Sequence, residues 1–153
     1  VTAGSRAFLL LLAAVSLLFF AASLVQPALS GGASRQLGEL LGKTCHRYPH
    51  RSLHLPWGTS GLCARCTAFW AAAGLACLGL MAGMRPPGLA AGLLLILPLA
   101  LDGGLQYAGL YESTNFLRIL TGLAAGSGVA FLYGDLALRL SSSWKRGRPR
   151  GFS

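Results

Sequence analysis

Two long stretches of this chain carry no charge at all, residues 7–25 and residues 67–84. A helix of about 18 or more such residues crosses the hydrocarbon core of a bilayer, and it satisfies its own backbone N–H and C=O groups where no water can. Only 11% of the residues are charged, against roughly 25% in a soluble domain. The pattern predicts an all-α integral membrane protein with four transmembrane helices.

The first apolar run, residues 7–25, ends at Pro27 and the Gly31-Gly32 pair. Arg6 before it and Ala28-Leu29-Ser30 after it also fit a cleaved signal peptide, which would leave three spans. Its length exceeds the usual hydrophobic region of such a peptide, about 7–15 residues. The second span is expected from about Cys66 to Met84, stopped by Arg85-Pro86-Pro87. The third runs from there toward Tyr107, with a kink expected at Pro98. The fourth extends from about Asn115 to Leu140, capped by Ser113 or Thr114. Gly122 and Gly126, four apart, give that helix a small-residue stripe for close packing, within the chain or between copies in a homo-oligomer. Between the first two spans, Leu37, Leu40 and Leu41 suggest a short interfacial helix over Ser34 to Gly42. Lys43 to Trp57 is expected to be a structured loop. The chain thus divides into 1–29, an N-terminal transmembrane helix or signal peptide; 30–140, a membrane domain with a Cys/His loop and three helices; and 141–153, a basic tail.

The net charge is +9, and the basic residues flank the apolar runs, which suits anionic headgroups. The tail from Trp144 to Arg150 is too short to form a nucleic-acid face, so the lipid bilayer is the expected partner and nucleic acid is not. The chain reads as a multi-pass protein of the cell membrane. Alternation across four spans puts seven basic residues on the side of the N-terminus and tail and six on the other. The positive-inside rule is nearly silent at that difference. Trp57, Trp70, Tyr107, Tyr111 and Trp144 read as interface anchors.

The same alternation gathers the polar chemistry at one membrane face. Cys45, His46, Arg47, Arg51, Cys63, Arg65, Cys66, Asp102, Gln106, Ser113, Asn115 and Arg118 come from three separate segments and fall on one side. Cys63-Ala64-Arg65-Cys66 is a C-x-x-C motif at a helix start, where free N–H groups and the helix dipole favour a thiolate. Cys45, Cys63 and Cys66 with a histidine, His46 first among His46, His50 and His54, would make a tetrahedral site of the kind zinc occupies. The same thiols could instead cycle between dithiol and disulfide, or simply staple the loop. Cys77, about 16 Å further along the helix, is outside this group. Asp102 and Gln106 share a helical face near the boundary, and an ionisable group there is expensive unless paired. Arg118 is the expected partner of Asp102, with Asn115 on the same face. Asp135 is expected to pair with Arg139, four residues on.

These residues carry a resemblance. Cys45-His46-Arg47, Pro49, Arg51-Ser52, Cys63-Ala64-Arg65-Cys66-Thr67, Asp102-Gly103, Gln106, Ser113-Thr114-Asn115, Arg118 and Thr121-Gly122 together resemble an uncharacterised prokaryotic family of membrane proteins, domain of unknown function 2085. The likeness covers roughly Thr44 to Gly126. The family pattern usually continues Cys-Thr-Gly, whereas Ala68 follows Thr67 here. The resemblance implies the membrane class and the grouping of these residues, and it carries no activity.

Three classes of function follow. In the first, a membrane-bound enzyme or redox protein uses Cys45, Cys63 and Cys66 through a bound metal or as exchanging thiols. Asp102 would then be acid/base or ligand, and Arg118 and Arg47 would hold an anionic group such as a lipid phosphate. In the second, the same residues bind or transport a small anionic ligand or lipid headgroup without catalysis. In the third, the cysteines only staple the loop.

Overall fold

The computed structural model describes residues 3–146, with side chains from 4 to 139; the remainder of the basic tail and the side chains of Trp144, Lys145 and Arg146 lie outside the described residues. In chain order the elements are α1 (Ala3–Val25), a 3-10 turn, α2 (Gly31–Gly42), a second 3-10 turn (Pro49–Arg51), β1 (Ser52–Leu55), β2 (Gly58–Cys63), α3 (Ala64–Met81), α4 (Leu89–Tyr107) and α5 (Asn115–Arg146). Four of the helices, α1, α3, α4 and α5, are long and apolar enough to cross a membrane. The chain is a membrane protein with four candidate spans among the described residues and a shorter helix, α2, between the first two.

The spans pack in the order α1, α3, α5, α4. Half of the apolar window of α3 is buried, against 11% of that of α4, so α3 is the axis and α4 the most lipid-facing member. Lipid tails are as apolar as leucine, so close van der Waals contact rather than the hydrophobic effect has to hold such helices together. Small residues supply it. A Cβ on Gly122 or Gly126 would run into the backbone of Arg65 or Phe69 on α3, and one on Gly92 of α4 would meet Leu132 and the Gly128 carbonyl of α5. The stripe that the sequence offered for contacts within or between chains is occupied inside this chain. On the other side of α3, Leu9 and Ala13 of α1 close a core with Ala76, Cys77, Leu80 and Ala130. Phe19 stacks on Trp70 at 4.8 Å between ring centroids, so Trp70 joins two helices. Tyr107, the last residue of α4, is 96% exposed.

The segment expected as a structured loop contains a β-hairpin. Pro56 and Trp57 turn it, and Ser52 pairs with Cys63, His54 with Thr59 and Leu55 with Gly58. Between the first two pairs β1 advances two residues and β2 four, which is a bulge. There the hydroxyl of Ser60 accepts from the Leu53 N–H at 2.9 Å and donates to the Leu62 carbonyl at 2.7 Å, replacing ladder bonds. Gly58, at φ +135°, lies against Pro27, and Trp57 Nε1 donates to the Leu24 carbonyl at 2.9 Å. Those contacts dock the tip of the hairpin on the end of α1.

Candidate metal centre

Each cysteine of the motif is delivered by the end of an element. Leu41, 1% exposed, fixes the last turn of α2, and the N–H groups of Thr44 and Cys45 still bond to its carbonyl at 3.1 and 3.2 Å. Arg47 then takes a left-handed conformation, φ +53°, which is unfavourable for a side chain with a Cβ. Its guanidinium holds the turn in place: Nε donates to the Gly61 carbonyl at 2.9 Å and Nη1 to the Gly38 carbonyl at 2.8 Å. A Cβ at Gly38 would stand 2.9 Å from that nitrogen, so glycine there makes room for the clamp. Cys63 is both the last residue of β2 and the N-cap of α3, and Cys66, three positions on, lies on the same side of the first turn.

The three sulfurs lie within 4.8 Å of one another, and among the described residues they form the group of His, Cys, Asp or Glu side chains that comes close enough to share an ion. His46 lines the same cavity as the sulfurs, but its ring nitrogens are not within that mutual distance, and its ring stacks on Tyr48 at 5.9 Å. Cys77 is fully buried in the helical core. The backbone N–H of Cys63 points at Cys45 Sγ at 3.4 Å. The thiols of Cys63 and Cys66 and the backbone at Arg47 and Cys63 also donate to Cys45, holding it well below the ordinary thiol range against the effect of its burial. Hydrogen bonding to Cys45 and burial push Cys63 up. The cluster therefore keeps its first negative charge on Cys45.

Beside the sulfurs is a cavity of about 210 Å³, walled by all three cysteines together with Arg51, Arg65 and Arg118, among others. Asp102 is not part of that wall. It is 5% exposed, and its carboxylate accepts from Arg65 Nη2 and from the Tyr111 hydroxyl. The expected pairing of Asp102 with Arg118 gives way to one with Arg65, which reaches across from the first turn of α3, although α5 is the helix packed against α4. Arg118, 3% exposed, bonds instead to Asn115 Oδ1 at 2.9 Å. Asn115 Nδ2 lies 3.4 Å from the Ser52 carbonyl, stitching α5 to the hairpin. Thr114 caps α5 by accepting from the Leu117 N–H at 3.3 Å. Glu112, 63% exposed along its side chain, sits at the rim, 3.3 Å from Arg51, 3.5 Å from His50 and 3.9 Å from Arg118. On the opposite face Asp135 pairs with Arg139 at 2.7 Å, as the spacing predicts.

Tyr111 and Glu112 are the participants that sequence reasoning missed. Tyr111 read as an interface anchor, and Glu112 had no motif. The available signal was position: both immediately precede the cap of α5, where a short connection has to pass the site.

A family model described as a predicted membrane protein, domain of unknown function 2085, matches residues 45–132, more than half of the chain. An uncharacterized protein of Methanothermobacter thermautotrophicus is 38% identical over 93 residues, covering 58% of this chain and 82% of that protein. A second uncharacterized protein, from Methanocaldococcus jannaschii, is 31% identical over 99 residues. There the alignment covers 57% of this chain and only 59% of the relative's length. No solved structure matches the chain. The family match begins at the first cysteine of the trio and ends within α5.

Proposed function

We propose, from the premise that this chain belongs to the family of predicted membrane proteins called domain of unknown function 2085, that it is a multi-pass metalloprotein of the cell membrane. Cys45, Cys63 and Cys66 would hold one thiophilic divalent cation, zinc being the best match to three thiolates. The observation that carries this is the closeness of three sulfurs from separate chain positions, all within 4.8 Å. Sulfurs on a tetrahedral zinc stand about 3.8 Å apart for Zn–S bonds of about 2.3 Å, so an inward shift of about an ångström suffices. His46 lines the same cavity but its ring, stacked on Tyr48, stands outside the trio, so the fourth position would fall to water or a ligand in the cavity. An open position is the pattern of a working metal site rather than a closed structural one. Asp102 supports the site by holding Arg65, whose backbone lies inside the C-x-x-C turn.

A second reading, thiol–disulfide exchange, is favoured by the lowered Cys45 thiol, since a thiolate is the attacking species. One experiment separates the two. Protein purified in detergent without added metal is submitted to elemental analysis and thiol titration. The metal reading expects about one zinc per chain and three thiols that titrate only after chelation. A metal-free protein with a disulfide within the trio would replace it by the exchange reading, and a metal-free protein with three inert thiols would remove both.

A further inference from the structure

Three guanidinium groups from three different segments meet at a single neutral amide. With the terminal amide of Gln106 turned to suit its neighbours, its oxygen accepts from Arg118 Nη2 at 2.9 Å and from Arg51 Nη2 at 3.3 Å. The other end of the same amide lies 3.4 Å from Arg65 Nη2. An amide oxygen carries only a partial charge, and like charges gathered this closely repel one another unless an anion sits among them.

The carboxylates nearby sit at the edges of the group and not among the three guanidinium ends. Asp102 is already committed to Arg65 and Tyr111. Glu112 is largely exposed; it lies 3.3 Å from Arg51 at the rim and reaches Arg118 only at 3.9 Å, so Arg118 has no close carboxylate. Arg118 is thus a guanidinium almost wholly removed from water, with two neutral amides as its close acceptors. Arg65 Nε is buried with no acceptor at all. Arg51, Arg65 and Arg118 all line the cavity beside the sulfurs. Planar guanidinium forks match the oxygens of a phosphate bidentately, and a cavity of about 210 Å³ has room for a phosphate group with part of what it is attached to.

We infer that this cavity binds a phosphate group, held by Arg51, Arg65 and Arg118 in place of, or alongside, the Gln106 carbonyl. The group is either free phosphate or the phosphate of a lipid headgroup, since the site lies at one end of the four apolar spans. The inference goes beyond the metal reading and does not need it: the donors are guanidinium groups, not the ion.

The test uses the full chain in nanodiscs of phosphatidylcholine, titrated with inorganic phosphate at constant ionic strength, and separately in nanodiscs containing phosphatidic acid, with bound lipid counted by native mass spectrometry. Saturable binding is expected in at least one arm at one site per chain, and which arm responds identifies the source. Arg118→Gln should weaken it at least about tenfold, the scale of one charge-assisted fork. Because Arg118 is buried and its variant could fail to fold, Arg51→Gln, on a side chain one-third exposed, is measured beside it and should weaken binding several-fold. Treatment of the unmodified protein with a chelator should leave phosphate affinity unchanged within about threefold; loss there would mean that a metal ion, not the arginines, holds the anion. No binding in either arm, or full binding in both arginine variants, overturns the inference.

Discussion

Arg65 sits between Cys63 and Cys66 in the sequence, yet its guanidinium ends on the carboxylate of Asp102, in an ion pair whose acidic partner is 4% exposed along its side chain. The turn that carries two of the three sulfurs is thereby tied to the far end of α4. A perturbation of either partner should be felt as stability first and as metal affinity only through it.

Replacing Asp102 by Asn leaves the Arg65 charge, 18% exposed along its side chain, facing a neutral amide. Removing one partner of a buried pair costs about 3–5 kcal/mol, and unfolding in detergent should show a loss on that scale. Tyr111→Phe removes one donor from the same carboxylate and should cost about 1–2 kcal/mol. Both variants, once folded, should retain their metal, because Asp102 lies outside the sulfur trio. Loss of metal from a folded Asp102→Asn protein would make the carboxylate a ligand.

Metal content should sort the candidate ligands. Cys45→Ser, Cys63→Ser and Cys66→Ser should each leave well under half an equivalent per chain. His46→Ala and Cys77→Ser should leave it near one. Elemental analysis of the five variants decides this, and a metal-free His46→Ala protein would restore the histidine to the ligand set.

In the metal-free protein the pH response has a definite sign. Cys45 titrates below its unfolded value, so its ionised form stabilises the fold. That contribution is complete above the ordinary thiol pKa, about 8.5, and is lost as the pH falls toward the lowered folded value. Cys63 is shifted up and works the other way, its contribution present at low pH and lost as the pH rises through its folded value. Alkylation of Cys45 should accordingly run at a nearly constant rate from about pH 6 to 8. An ordinary cysteine accelerates about a hundredfold over that interval, because its thiolate fraction rises tenfold per pH unit. A tenfold rise per pH unit at Cys45, read by mass spectrometry of the modified peptide, would show that no thiolate is held there.

Arg47 is expected to act on the shape of the loop. Its two bonds to backbone carbonyls hold a left-handed turn, and charge-assisted bonds contribute about 1.5–3 kcal/mol each. Arg47→Ala should lower stability by about 3 kcal/mol and weaken metal binding, since Cys45 is two residues away. Gly38→Ala, which crowds the same guanidinium, should show the same two effects in smaller measure. Equal metal affinity in both variants would mean that the turn forms without the clamp.

How far the sequence anticipates this architecture depends on the range of the interactions involved. The spans are legible because charge exclusion over a bilayer's thickness is a one-dimensional property, and the helices over Ala64–Met81 and Leu89–Tyr107 fall close to the expected limits. The hairpin is not, since β1 has only four residues and its irregular register depends on a serine hydroxyl. The meeting of cysteines, arginines and Asp102 at one face follows from counting crossings. Which arginine reaches Asp102 does not, because Arg65 and Arg118 both open helices at that face. Their difference arises from where each side chain is directed in three dimensions, Arg65 to Asp102 and Arg118 to Asn115, and no periodicity in the chain encodes that choice.

Cys63 closes a strand and opens a membrane helix with no residue between them. If the sulfurs lose what ties them together, the hairpin can fray while the spans stay lodged in lipid, since local opening needs no global unfolding. Damage at this centre would then reach a cell's quality-control proteases as a nick outside the bilayer, long before extraction of the protein from it.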